Sequence, residues 1–413
     1  MGVNNLEYMK LLLHSLKINL DNKEHQIIVF IDADNENSLE YLLEVKKDFH
    51  DLTIINNTIS IPVGYQRNKT ILTEYAKYDV ISYLQSDMVI GPHYDTEILK
   101  HVKRGRILSA TRVEPPLHGQ SPVTVTTNLG LHPSEFDMEK WNEFSMSVKR
   151  DELIPYFFAP ITYYKDDWMK LDGYDTVFRR AREDSDFVQR CLHADFELIQ
   201  TFNANVYHFT CITSRGQNWF DKNNSVAQQR AAIQQQADSI EMRRFLRKWG
   251  GFNHGEEKLF KLDTDLVVRN YDLNQVATLE PFFHRVWLQT NEDKKLLVDA
   301  YEKMQNPANY LLDISDEEWA KYKHLYRTEV FDGVLYVGEP DDYSIKITID
   351  FSKVRVPNEF FNNIQYLYHM LYEYDVGEYE FDGITISIRS IKTLPVNIKA
   401  ENPPFDHKLL TIY

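Results

Sequence analysis

The chain has 413 residues, a formal net charge of −16, and a make-up of 43% hydrophobic and 26% charged residues. That length allows two or three domains of ordinary globular composition. The acidic balance excludes general affinity for nucleic acid or anionic membrane, so a phosphate-bearing ligand would need local help from cations.

Two cysteines, Cys191 and Cys211, are too few and too far apart for a disulfide framework or a zinc site. A reduced, cytoplasmic setting is the simpler expectation. The apolar run Leu11–Leu13 is too short for a signal segment, and no run approaches the roughly 20 apolar residues of a membrane span. No integral membrane segment is expected.

Apolar spacing at Leu6, Met9, Leu12, Leu13 and Leu16 predicts a first helix over 6–18, with Asn4 or Asn5 as its cap. Gln26–Ile31 reads as a buried strand, Ser38–Lys47 as a helix and Leu52–Ile55 as a strand. Val63–Tyr78 reads as loop then helix. The stretch Asp79–Pro92 follows, in which Val80, Ile81, Tyr83 and Leu84 suit a buried strand that runs into Gln85, Ser86 and Asp87. Strands thus alternate with helices, which argues for an α/β fold with a mostly parallel sheet.

Further on, Arg106–Val113 reads as a strand and 114–128 as a long loop. A partly helical stretch covers 133–148, and Ala159–Tyr164 is a strand. A helical turn over Asp166–Leu171 ends near Gly173. Glu183–Ala194 is a helix, and Glu197–Gln200 and Asn205–Phe209 are two strands. A long helix over Val226–Lys248 stops at Gly250-Gly251. The predicted domains are 1–252 and 253–413. The second is a smaller α+β region of unassigned role, with strand-like runs VLYV, IKITIDF and GITISIR and a helix over Phe360–Tyr374.

Five places carry candidate chemistry, and each also has a plainer reading. Asp87 sits beyond a strand end, where open α/β folds bind ligands, and a carboxylate there can hold a divalent cation; otherwise it starts a turn. Asp32 and Asp34 follow a strand and suit a nucleobase or ribose, or are turn residues. Arg67 and Asn68 open a helix, which suits an anionic ligand or a capped surface. Glu183, Asp184 and Asp186 open another, favoured there by the helix dipole. Three carboxylates in that turn exceed what capping needs, and one can act as a general base. His208 closes a strand as a metal ligand or a satisfied half-buried histidine.

In this order the set resembles the inverting family 2 glycosyltransferases of GT-A fold. The matching text is IIVFIDADNEN, PVGYQRNKTILTEYAKYDVISYLQSDMVI, FFAPITYYKDDWMKLDGYDTVFRRAREDSDFVQRCLHADFELI and VYHFT, over roughly residues 4–250. The resemblance implies a GT-A-like, Rossmann-like mixed sheet flanked by helices. It implies a nucleotide contact at Asp32 and Asp34, and another at Arg67 and Asn68. The family's Asp-x-Asp falls on Gln85-Ser86-Asp87, which makes Asp87 a metal ligand, and its late metal-binding histidine falls on His208. Its Glu-Asp falls on Glu183-Asp184, with Asp184 as the base. Trp168, Gly173 and Glu183 fall near the acceptor and donor sugar, and Gln85 and Ser86 on the donor-nucleotide side.

Three departures stand out. Gln85 replaces the first metal-motif Asp. The chain opens at the helix after the family's usual first strand, so either its start is truncated or another segment covers that edge. Asp172-Gly173 stands where Gly-Gly is frequent.

The implied activity is transfer of a sugar, with inversion, from a nucleotide diphosphate sugar to an acceptor hydroxyl on a saccharide, lipid-linked or protein acceptor, assisted by Mn2+ or Mg2+. Arg215 is expected to add positive charge to the diphosphate, or is a solvated loop residue. Trp168 and Trp219 are read as sugar platforms or as core. A nucleotidyltransferase is disfavoured because no basic glycine-rich loop lies near the N-terminus. The alternative outside enzymes is a catalytically decayed carbohydrate- or nucleotide-sugar-binding module.

Overall fold

The computed structural model describes residues 5–413 apart from 33–35, 60–62, 118–120, 180, 211–222, 224, 252–256, 307–314, 355–373 and 382. Asp34, Arg215, Trp219 and Cys211 therefore lie outside the described residues, as does the helix expected from Phe360. Two compact units form. The first comprises Met1–Ala237, Asp313–Arg327 and Ile398–Tyr413, and the second Asp238–Leu312 and Thr328–Asn397. The sequence suggests one boundary after residue 252, but the chain passes between the units four times.

In the first unit the described elements run α1 (Leu6–Asn19), β1 (Gln26–Ile31), α2 (Ser38–Val45), β2 (Asp51–Asn57) and α3 (Tyr65–Tyr75). Next come β3 (Val80–Tyr83), β4 (Met88–Ile90), α4 (Tyr94–Leu99), β5 (Arg106–Glu114), β6 (Thr124–Thr126) and α5 (Met138–Ser147). Then follow β7 (Leu153–Pro155), β8 (Ile161–Tyr164), α6 (Lys165–Lys170), α7 (Glu183–His193) and β9 (Glu197–His208). The division between units falls within α8 (Ser225–Trp249).

The chain continues through β10 (Thr264–Arg269), α9 (Leu273–Leu279), β11 (Arg285–Leu288), α10 (Asn291–Gln305) and α11 (Asp316–Tyr322). It closes with β12 (Leu335–Val337), β13 (Ile345–Asp350), β14 (Gly377–Phe381), β15 (Ile384–Ile388) and β16 (Leu410–Ile412). Among the described residues no helix is long and apolar enough to cross a membrane.

The fold is α/β with mixed sheets. In the first unit one sheet has the order β1-β2-β16 and the other β3-β8-β5-β9-β4, with β6 beside β5 and β7 beside β9. The pairs β1/β2 and β5/β9 are parallel, whereas β4/β9, β3/β8 and β2/β16 are antiparallel. Helix α1 buries Tyr8, Met9, Leu12, Leu13 and Leu16, the spacing of one helical face. Its cap is not an asparagine side chain: Glu36 Oε2 accepts from the amides of Asn5 and Leu6 at 2.7 and 3.0 Å. That carboxylate also suits the positive end of the helix dipole.

Two expectations are corrected. The strand expected from Val80 to Leu84 forms as β3 but is not buried. Strand β3 lies at the end of its sheet's order and is only half-buried, with Ser82 exposed. After Gln85, Ser86 and Asp87 the chain starts β4, which pairs with β9 at the other end of the order. The strands expected at 197–200 and 205–209 are one strand, β9, whose register against β5 shifts at Ala110/Thr111. A bulge of this kind re-aims the strand's far end.

The second unit has one sheet of order β12-β11-β10-β13-β15-β14. Its first four strands are parallel, and β15 turns antiparallel to β13. Central β10 is buried along nearly its whole length, while β13 alternates buried and half-buried residues. Helix α8 ends as expected at Gly250, whose φ of +77° a side chain would disfavour and whose amide donates to Leu246 O at 2.7 Å.

Candidate functional site

Strand pairing brings Asp87 to His208. The register Met88↔His208 puts the residue before β4 beside the last residue of β9. Both are buried, and Asp87 Oδ1 lies 3.8 Å from His208 Nε2. Among the described residues no hydrogen-bond donor reaches Asp87 Oδ1. On the other side of the ring, His208 Nδ1 is 2.7 Å from Glu114 Oε1. Glu114 ends β5, next to β9 in the sheet, and Arg112 Nη1 is 3.2 Å from the same carboxylate oxygen. A carboxylate accepts, so Nδ1 is the nitrogen that donates to Glu114, and Nε2 is the one that faces Asp87.

Glu114 was not legible as a site residue. It stands far from His208 in sequence, in no motif, and only the β5/β9 ladder unites them. Gln85 and Ser86 lie half-buried in the link before β4. Gln85 O accepts from Met88 N at 3.2 Å, and Ser86 Oγ is 3.5 Å from Asn5 Nδ2.

A second cluster forms around Asp184, half-exposed in the first turn of α7. Tyr174 Oη donates to Asp184 Oδ1 at 2.5 Å. Lys69, on the inward face of α3 and 1% exposed, sets its ammonium 3.9 Å from the Tyr174 ring centroid and 4.5 Å from that of Tyr83. Burial pushes the Tyr174 phenol well above its usual value, and the charge of Asp184 pushes the same way. Burial likewise raises Tyr83, followed by the charges of Tyr163, Asp184 and Asp87. Tyr83 thus feels both Asp184 and Asp87. Lys69, Tyr83 and Tyr174 have no sequence signature, because an inward lysine between aromatic rings looks like any helix lysine.

Burial lowers the Lys69 amine to about 7, with Asp184 opposing the fall. A lysine in an unfolded chain titrates near about 10.4. Between these values the unfolded chain holds the proton and the folded chain has released it. Stability should therefore rise with pH through this window, by about 1.4 kcal/mol per pH unit. Urea unfolding at about pH 7.5 and about pH 9 should show that gain, and Lys69→Met should reduce it. An equal gain in the variant would rule out Lys69 as its source.

Of the remaining α7 carboxylates, Asp186 serves the fold. Asp186 pairs with Arg190 at 2.8 Å, both side chains fully buried, and Arg190 Nη1 donates to Leu171 O at 2.7 Å. Glu183 is 5% exposed, which leaves little surface for a sugar. Trp168 is corrected from sugar platform to core. It is fully buried, stacks on Tyr163 with centroids 4.6 Å apart, and meets Tyr174 edge-on at 5.2 Å. Gly173 has φ +60°, and a Cβ there would lie 2.4 Å from Thr70 Oγ1 and 2.6 Å from Trp168 Nε1. Its observed role is this close approach, which sets the path of the chain into Tyr174.

Asp32 is likewise engaged within the fold. It accepts from Asn57 Nδ2 and Val63 N, each at 2.8 Å, and from Gly64 N at 3.1 Å. It ties β1 to β2 and to the start of α3, so contact with a base is not its visible task. Arg67 and Asn68 are buried in the first turn of α3. Arg67 Nη2 donates to Leu325 O at 2.8 Å, and burial lowers the guanidinium's pKa. Arg67 Nε, Asn68 Oδ1 and neighbouring Gln66 Nε2 are buried with no hydrogen-bond partner among the described residues.

No family model and no curated protein matches the chain. Among solved structures it is similar to a crystal structure of GalNAc-T7 with UDP, GalNAc and Mn2+, at 12% identity and TM-score 0.38, over 57% of this chain and 46% of that one. It is also similar to a crystal structure of S. aureus TarS, at 13% identity and TM-score 0.38, over 59% of this chain and 42% of that one. The chain spans less than half the length of either.

Proposed function

We propose that the first unit is a GT-A-like glycosyltransferase that moves a sugar from a nucleotide diphosphate donor to an acceptor hydroxyl with inversion. The observation that carries this reading is where unsatisfied buried polar atoms fall. Among the described residues Arg67 Nε, Asn68 Oδ1 and Asp87 Oδ1 have no hydrogen-bond partner, as is also true of Tyr94 Oη and Tyr301 Oη elsewhere in the chain. The first three belong to residues singled out beforehand as donor and metal contacts. Buried polar atoms are nearly always paired in folded proteins, with protein groups or with water, so these atoms are open to the polar groups of a ligand.

The Asp87–His208 pair fits a divalent cation. It offers one orphaned carboxylate oxygen and one imidazole nitrogen aimed at each other across 3.8 Å. Oxygen with nitrogen suits Mn2+, and oxygens of the diphosphate and water complete such shells. Among the described residues no group of three or more protein ligands assembles, so the donor would supply the rest. When bound, such an ion offsets the charge that builds on a departing diphosphate.

Arg67 and Asn68 bind the nucleotide side of the donor. Asp184 takes the proton of the acceptor hydroxyl. The hydroxyl oxygen forms its bond to the anomeric carbon as the carbon–oxygen bond to the diphosphate breaks, and the nucleoside diphosphate leaves.

Glu114 holds the His208 ring, so Glu114→Ala should weaken Mn2+ binding about tenfold or more, as loss of such a support does elsewhere. Titration of free Mn2+ by electron paramagnetic resonance measures it, and unchanged affinity would remove Glu114 from that role. The proposal as a whole is tested by nucleoside diphosphate release from a panel of nucleotide sugars, with Mn2+ and with chelator. Release with one donor, lost on chelation, supports it. Donor binding with no release under any acceptor supports a sugar-nucleotide-binding module instead.

A further inference from the structure

We infer that Tyr174 is a positioning residue that holds the Asp184 carboxylate in its working orientation; this rests on Asp184 being the base. Three observations meet at one phenol. Its hydroxyl donates to Asp184 Oδ1 at 2.5 Å. Its ring is fully buried, edge-on to Trp168 at 5.2 Å and to Phe187 at 5.0 Å. Lys69 sits over it at 3.9 Å. The ring is therefore fixed by packing from α3, α6 and α7, and the backbone entering it is fixed by Gly173.

Asp184 itself is half-exposed at the first turn of a helix, where a carboxylate otherwise samples several rotamers. A buried phenol bonded to one oxygen removes that freedom and leaves Oδ2 for the acceptor hydroxyl. Tyr174 has no exposed surface, so it touches neither donor nor acceptor and acts only through Asp184.

The test is a double-mutant cycle of Tyr174→Phe with Asp184→Ala. Phenylalanine keeps the ring and its packing and deletes the hydroxyl. Alone, Tyr174→Phe should lower kcat about tenfold to a hundredfold while donor KM moves less than about twofold. In the Asp184→Ala background the same change should have no further effect on kcat.

Full kcat in Tyr174→Phe, or an equal fall in both backgrounds, overturns the inference. Full activity in Asp184→Ala overturns the base reading itself, which the cycle thereby tells apart from failure of the positioning role. The urea midpoint gives a readout that needs no substrate. Tyr174→Phe should lower it in the wild type and leave it unchanged in Asp184→Ala, and equal shifts in both would show that no such hydrogen bond operates.

Discussion

Asp184→Asn is expected to lower kcat by about a thousandfold, the middle of the range for loss of a general base, or about 4 kcal/mol of barrier. Asparagine has the same shape and keeps an oxygen that accepts from Tyr174 Oη, so the buried ring stays in place. It keeps no basic oxygen for the acceptor hydroxyl. Donor affinity should change little, because the residues assigned to the donor, Arg67, Asn68, Asp87 and His208, are other side chains. The first turn of α7 keeps Glu183 and Asp186, so the melting temperature should move by only a few degrees. Single-turnover kinetics with saturating donor separates chemistry from binding. A variant that turns over at the wild-type rate would end the claim that Asp184 is the base.

A chain ending at Asn397 is expected to lose the cooperative fold of the first unit. The missing segment contributes β16 to the sheet of β1 and β2, pairing Leu410 with Asn57 and Ile412 with Ile55. Asn402 is the larger loss. Its amide donates to Asp172 Oδ2 at 3.0 Å, its Nδ2 to Asp172 O at 3.0 Å and Tyr174 O at 2.7 Å, and its Oδ1 accepts from Thr176 N at 2.8 Å. Ala400 N donates to Leu171 O at 3.1 Å, and Arg327 Nη1 donates to Ala400 O at 2.9 Å.

At about 1 kcal/mol net per hydrogen bond, these six bonds alone sum to about 6 kcal/mol before the strand pairing is added, a large part of a domain's stability. The loop they brace is the one that presents Tyr174 to Asp184. Urea unfolding followed by tryptophan fluorescence should show a lower midpoint or no cooperative transition. A truncated chain with the wild-type midpoint would show that the tail is dispensable. Asn402→Ala in the full chain should reproduce part of the loss.

Much of the first unit was legible residue by residue. Helix α1, strand β1 and helix α7 follow from apolar spacing, because a side must be buried for the element to persist. The stop at Gly250 follows from its backbone freedom. Asp87, His208 and Asp184 could be singled out as candidates from their places at element ends, each of which also has a structural use. The role of Trp168 was not legible, because a tryptophan beside glycine and aspartate reads alike as platform or core. Only its stack on Tyr163 decides for core.

The sequence by itself therefore determined the local elements, the α/β class and the chemical types available to a site. The tertiary structure alone decided which groups meet. Asp87 faces His208 because β4 pairs with β9, and Glu114 joins them because β5 runs beside β9. Asp184 meets Lys69 through Tyr174 because α3 and α7 pack over one aromatic cluster. The tail belongs to the first unit because Asn402 satisfies backbone groups of the loop at Asp172–Thr176. Periodicity is set by neighbours within one or two helical turns. Pairing across a sheet is set by contacts far apart in sequence, 94 residues for Glu114 and His208, and those leave no trace in local spacing.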